Sequence, residues 1–107
     1  MAHNPDGVRA LVASLRAEPP PRPIVAVVAV LKDKAWREML ELLRPEVDQL
    51  ILTRAPSAPA ERAWDVEGME PDFGRALARA QIEGATVLVT GSFHTVGDAM
   101  VALHIDP

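Results

Sequence analysis

The sequence predicts an α/β domain in which a mostly parallel sheet lies between layers of helices. Three observations carry this expectation. Short apolar segments rich in β-branched residues recur along the chain, at 24–31, 49–53 and 86–90. Their residues do not alternate with polar ones, which marks strands covered on both faces. Stretches with helical periodicity separate them, and such an order closes into a parallel sheet when the crossovers are right-handed.

The first helix is expected over residues 5–17. Asn4 is a good N-cap, Pro5 suits the first helical position, and Asp6 complements the positive end of the helix dipole. Val8, Leu11, Val12 and Leu15 then recur at helical spacing and form one apolar face. Pro19, Pro20, Pro21 and Pro23 stop the helix and stiffen the connector. The run from Ile24 to Leu31 is the first strand. Asp33 is expected to cap a second helix, whose apolar face is Trp36, Met39, Leu40 and Leu43, with Pro45 at its end. Gln49 to Thr53 makes a second short strand. From Arg54 to Pro71 the chain carries Pro56, Pro59 and Gly68 with little periodicity and reads as mostly loop. Asp72 caps a third helix with Phe73, Ala76, Leu77 and Ala80 on one side, and Gly84 ends it. Thr86 to Thr90 is the third strand. Gly91 and Ser92 then lead into a last helix bearing Val96, Met100 and Leu103. The pattern is Rossmann-like and three-layered. Because a helix cap opens the chain, the domain is expected to lack its first strand and to be cut at its front edge.

The totals fit one small domain of 107 residues without internal repeats. Apolar residues at 49% and charged residues at 24% are ordinary for a globular chain. The net charge of -4 gives no electrostatic footprint for nucleic acid. The chain has no cysteine, which removes disulfides and thiolate metal sites and agrees with a reducing cytoplasm. The apolar run 24–31 is too short to span a bilayer, and residues 1–5 do not read as a signal peptide. The expectation is a cytoplasmic domain with no nucleic-acid or membrane partner.

In open parallel sheets, ligands bind beyond the carboxyl ends of the strands, where helix N-termini also point. Four polar clusters fall at such positions: His3 and Asn4; Lys32, Asp33 and Lys34; Thr53 and Arg54; and Thr90, Gly91, Ser92 and His94. Lys34 and Arg54 would supply positive charge there, and the turn at Gly91 and Ser92 would offer backbone N–H groups to an anion. Plainer roles compete for several of them. Asn4 caps a helix whatever else it does, Asp33 reads as a cap, Lys34 fits a solvated first turn, and Ser92 and Thr95 fit caps of the last helix. His3, His94 and His104 lack metal-ligand spacing. Ser92 with His94 lacks the G-x-S-x-G elbow of a hydrolase, and no P-loop motif occurs in the sequence. The residues alone thus reach a compact α/β domain with an anion-binding edge, and no reaction.

Four segments go further in combination: Ala2-His3-Asn4-Pro5-Asp6-Gly7, Val30-Leu31-Lys32-Asp33-Lys34, Ile51-Leu52-Thr53-Arg54 and Val87-Leu88-Val89-Thr90-Gly91-Ser92-Phe93. In this order and approximate spacing they resemble the C-terminal domain of the folylpolyglutamate synthase/dihydrofolate synthase family, within the Mur ligase superfamily. The resemblance runs from Ala2 to about Leu103. It implies a single ligase C-terminal domain over residues 1–107, with the ATPase domain of the family absent. That domain would help an ATP-dependent ligase join L-glutamate to a folate or pteroate. ATP and magnesium would be held mainly by the ATPase domain. The resemblance also implies that His3 and Asn4 lie near the nucleotide and that Asn4, Lys34 and Ser92 meet the glutamate. It departs from the family before Ala2, where an Asp-Gly pair is usual and Met1 stands at the glycine position, and at 64–73, which is shorter here. Amide ligation by this chain alone is therefore not expected. The competing expectation is a free-standing α/β binding or interaction module whose open sheet edge takes a partner strand.

Overall fold

A computed structural model describes residues 4–91. Helix α1 (Pro5–Ala17) begins where its local signals place it: Asn4 Oδ1 accepts the amide of Gly7 at 2.7 Å. Strand β1 (Ile24–Val28) follows the proline-rich connector, then helix α2 (Trp36–Leu43) with a single 3-10 turn at Arg44–Glu46. Strand β2 (Gln49–Leu52), a 3-10 turn at Ala60–Arg62, helix α3 (Phe73–Glu83) and strand β3 (Thr86–Thr90) complete the described order. The helix expected around Val96, Met100 and Leu103 lies outside the described residues.

The three strands form a parallel sheet in the order β2-β1-β3. Strand β1 is central, and all five of its residues are buried. Alternation explains why its sequence is apolar throughout. Ala26 and Val28 face a core completed by Val8 of α1, Met39, Leu40 and Leu43 of α2, and Trp64. Val25 and Val27 face the opposite side, against Phe73, Ala76, Leu77 and Ala80 of α3. A strand with two covered faces can spare neither set of side chains, so no polar alternation survives. The layers are therefore α1 with α2, the sheet, and α3.

Polar contacts fix the lower end of this sandwich. Asp48 Oδ2 accepts the Ile24 amide at 2.6 Å, while the Asp48 amide donates to the Ile24 carbonyl at 2.9 Å. Arg22 closes on the same carboxylate at 2.9 Å. One aspartate thus sets the register in which β2 meets β1. The Ile24 amide bond, joined by Arg22, outweighs partial burial and holds the Asp48 carboxyl below its usual range.

Two expectations are corrected. The first strand ends at Val28 rather than Leu31, because the chain beyond it turns to other partners. The Ala29 amide reaches the Thr90 carbonyl at 3.2 Å, and Leu31 forms an isolated antiparallel bridge with Ala63. Asp33 does not cap α2. The N-cap position is Ala35, which makes no side-chain bond, and the Asp33 carboxylate instead meets Arg62 at 3.0 Å. A long-range cation has taken the side chain that local propensity assigns to the helix.

Candidate functional site

The helix directions decide which candidates share an end of the sheet. Arg9 of α1 pairs with Glu38 of α2 at 2.6 Å, and Arg16 pairs with Glu46 at 2.9 Å. The two helices therefore run side by side in the same direction, and Asn4 lies at the end where α2 begins. Helix α2 starts just past the carboxyl end of β1. The Glu70 amide donates to the Leu52 carbonyl at 2.8 Å, so the approach to α3 also sits at the carboxyl end of β2. Asn4, the turn 32–34, Thr53, Arg54 and Gly91 thus belong to one edge. His3, Ser92 and His94 lie outside the described residues.

Within this edge the side chains divide by what they touch. Thr53 and Thr90 are buried, and the Thr53 carbonyl accepts Trp64 Nε1 at 2.5 Å. Arg54, expected to bring free positive charge, is committed: Nε bonds the Trp64 carbonyl at 3.0 Å and Nη2 pairs with Asp65 at 2.9 Å. It borders a shallow depression lined by Ala55, Pro56, Ala58, Ala60 and Ala63, whose small side chains leave the surface open. Lys32 and Lys34 are exposed, and neither makes an ion pair among the described residues. Asn4 is also exposed, with its carbonyl oxygen held by the Gly7 amide and its amide hydrogens directed away from that bond. The lysines of the β1–α2 turn are therefore among the cations available to an incoming anion.

Gly91 is the tightest point of the edge. Its φ is +132°, and a Cβ placed on it would sit 2.1 Å from the Ala29 carbonyl oxygen. Only glycine lets the chain leaving β3 lie against the chain leaving β1. Trp64, in a stretch that reads as loop, is a structural residue. It is 1% exposed and stands edge-on to Trp36 with ring centres 5.6 Å apart. A large aromatic inside an apparently irregular proline-rich stretch was the available signal. No group of three His, Cys, Asp or Glu side chains able to hold a metal occurs among the described residues. No helix among them is long and apolar enough to cross a membrane.

Comparison with known proteins gives this edge its context. The family model of the Mur ligase glutamate ligase domain matches residues 1–93. The chain belongs to that family, as its glutamate ligase domain. Within it, the relatives are folate enzymes. The dihydrofolate synthase/folylpolyglutamate synthase of Escherichia coli is 34% identical over 110 residues, covering 94% of this chain and 26% of its own length. Folylpolyglutamate synthase of Mycobacterium tuberculosis, solved with ADP and AMPPCP, superposes with a TM-score of 0.84 at 29% identity over 99% of this chain and 29% of that one. A bifunctional folylpolyglutamate synthase/dihydrofolate synthase with Mn, AMPPNP and L-glutamate bound gives 0.80 at 32% identity, covering 98% and 28%. The fold is that of the C-terminal domain of these enzymes, and the chain spans about a quarter of the length of the curated relative it matches.

Proposed function

We propose that residues 1–107 act as the C-terminal domain of an ATP-dependent ligase that joins L-glutamate to a folate or pteroate in the cytoplasm. The observation that carries this reading is the match along nearly the whole chain to enzymes of that activity, one of them solved with L-glutamate bound. ATP and its magnesium belong in this reading to an ATPase domain outside these residues, because no P-loop occurs in them. In the reaction, the glutamate amino group replaces phosphate on an activated carboxylate: a C–N bond forms, the C–O bond to phosphate breaks, and the amine gives up a proton. The domain's contribution is to present the amino acid in the right place, which turns an encounter of two solutes into a reaction between neighbours.

The roles assigned to side chains follow the edge. Lys34, exposed and without a carboxylate partner among the described residues, receives a carboxylate of glutamate. Asn4 turns its remaining amide hydrogens toward glutamate or nucleotide. His3 is assigned to the nucleotide and Ser92 to glutamate by the resemblance of their motifs to the folylpolyglutamate synthase family.

Calorimetric titration of the folded chain with L-glutamate, ATP and ADP tests the reading. Saturable binding of L-glutamate that Lys34→Ala or Ser92→Ala abolishes is the expected result. A folded chain that binds neither glutamate nor nucleotide refutes an amino-acid site on this domain and favours an interaction module. In the complete ligase, Lys34→Ala is expected to raise the KM for glutamate about tenfold with little change in kcat, the signature of lost ground-state binding. An unchanged KM removes Lys34 from the site.

A further inference from the structure

Lys34 sits on a turn with little packing of its own. Residues 32–35 are all exposed, and α2 starts without a side-chain cap. A lysine on such a turn would sample many positions, and its ammonium would be poorly placed for a ligand. The structure nevertheless ties the turn down from outside. The segment 59–63 crosses it: Leu31 bridges Ala63, and the Lys32 amide donates to the Arg62 carbonyl at 2.9 Å. Arg62 then closes over the turn with its side chain, Nη2 meeting both oxygens of Asp33 at 3.0 and 3.3 Å. Inside the turn, the Lys34 amide returns to the Leu31 carbonyl at 3.1 Å. Asp33 is thus held between a distant arginine and the lysine that follows it.

We infer that Arg62 and Asp33 are positioning residues that fix the β1–α2 turn so that Lys34 points its charge toward an amino-acid carboxylate. The inference rests on the proposed binding of glutamate by Lys34. The pair leaves the sheet core untouched: its side chains are 42% and 53% exposed. A pair so exposed contributes little to global stability. Its effect is local, on the orientation of the residue next to Asp33. By charge it also separates the two roles within the turn, since Arg62 bonds the Asp33 carboxylate while Lys34 makes no ion pair among the described residues.

The test is a double-mutant cycle on the full 107-residue chain, with L-glutamate as the probe in calorimetry and thermal unfolding followed alongside. Arg62→Gln and Asp33→Asn are each expected to raise the Kd for L-glutamate about threefold. Melting should move by less than about 5 °C. Arg62→Lys should recover part of the affinity. Arg62→Gln added to Lys34→Ala should cost no further affinity, because a residue acting through Lys34 has nothing left to position. Additive losses, or a fall in melting temperature with Kd unchanged, would make the pair structural only and overturn the inference. If Lys34→Ala weakens binding and Arg62→Gln does not, the inference alone fails. If Lys34→Ala binds as the wild type does, or if the folded wild-type chain takes up no glutamate, the assignment of Lys34 fails and the inference falls with it.

Discussion

Replacing Gly91 by alanine is expected to cost far more than a methyl group usually does. The new Cβ would lie 2.1 Å from the Ala29 carbonyl oxygen, 2.6 Å from its carbonyl carbon and 3.0 Å from Val30 Cγ1. Ordinary contacts between heavy atoms sit at about 3.5–4.0 Å, so the chains leaving β3 and β1 must separate by roughly 1.5 Å. Neither neighbour can yield cheaply, because two of the three atoms are backbone. The separation also strains the bond from the Ala29 amide to the Thr90 carbonyl, already 3.2 Å long. Overpacking of this kind costs about 1–3 kcal/mol, and a side chain at φ +132° adds about 1–3 kcal/mol of backbone strain. A total near 3 kcal/mol lowers the melting temperature of a domain this size by roughly 12–24 °C. Gly68→Ala is the matched control: its φ is +84°, but a Cβ there meets nothing within 4 Å. It should show the backbone strain alone, about 1 kcal/mol. Circular dichroism melts and urea titrations of both variants measure the difference. If Gly91→Ala is no worse than Gly68→Ala, the close approach of the two strand ends is not what demands glycine.

Trp64→Ala should lose about 3–5 kcal/mol, because it empties a site that is 1% exposed and leaves the Thr53 carbonyl without its indole donor; urea unfolding reads this directly. Asn4→Ala should cost about 1 kcal/mol of stability through the lost cap, while Asn4→Asp should keep it; equal losses in chemical denaturation would mean that the bond to the Gly7 amide is not what starts α1. For Asp48 the sign follows from a carboxyl held below its usual range, first by the Ile24 amide. The unfolded chain binds its proton at higher pH than the folded one. The stabilisation is therefore complete above the ordinary carboxylate value and is lost as pH falls through the lowered one. Asp48→Asn should flatten the acid limb of stability measured from about pH 5 downward. An unchanged limb would assign acid sensitivity to other carboxyls.

What the sequence made legible was what depends on neighbours along the chain. Asn4 and Asp72 cap their helices through residues three positions on, and the strand at 86–90 carries its pattern in five residues. Both helix starts came out as read. The errors lie where a side chain answers to a distant partner. Asp33 has every local reason to cap α2, yet Arg62, 29 residues away, takes it. Arg54 reads as an available charge, but Asp65 and the Trp64 carbonyl claim it. Ala29 and Leu31 continue an apolar run and still leave the strand, because their backbone partners are Thr90 and Ala63. Periodicity carries no information about such pairings.

The same distinction bears on the site. Arg9, Arg16, Arg22, Arg54, Arg62 and Arg79 each meet a carboxylate of this domain, and Arg16 grips Glu46 with two nitrogens on its two oxygens. Lys32 and Lys34 make no such pair among the described residues, although Asp33 stands between them and Glu38 lies one turn on. These six arginines serve internal architecture. Arg62 engages Asp33 and Arg9 engages Glu38, so the acids closest to the turn are already bound. A lysine whose neighbouring acids are occupied keeps its charge for something that arrives from outside. In a domain of net charge -4, the two exposed lysines give this turn a local attraction for an anion.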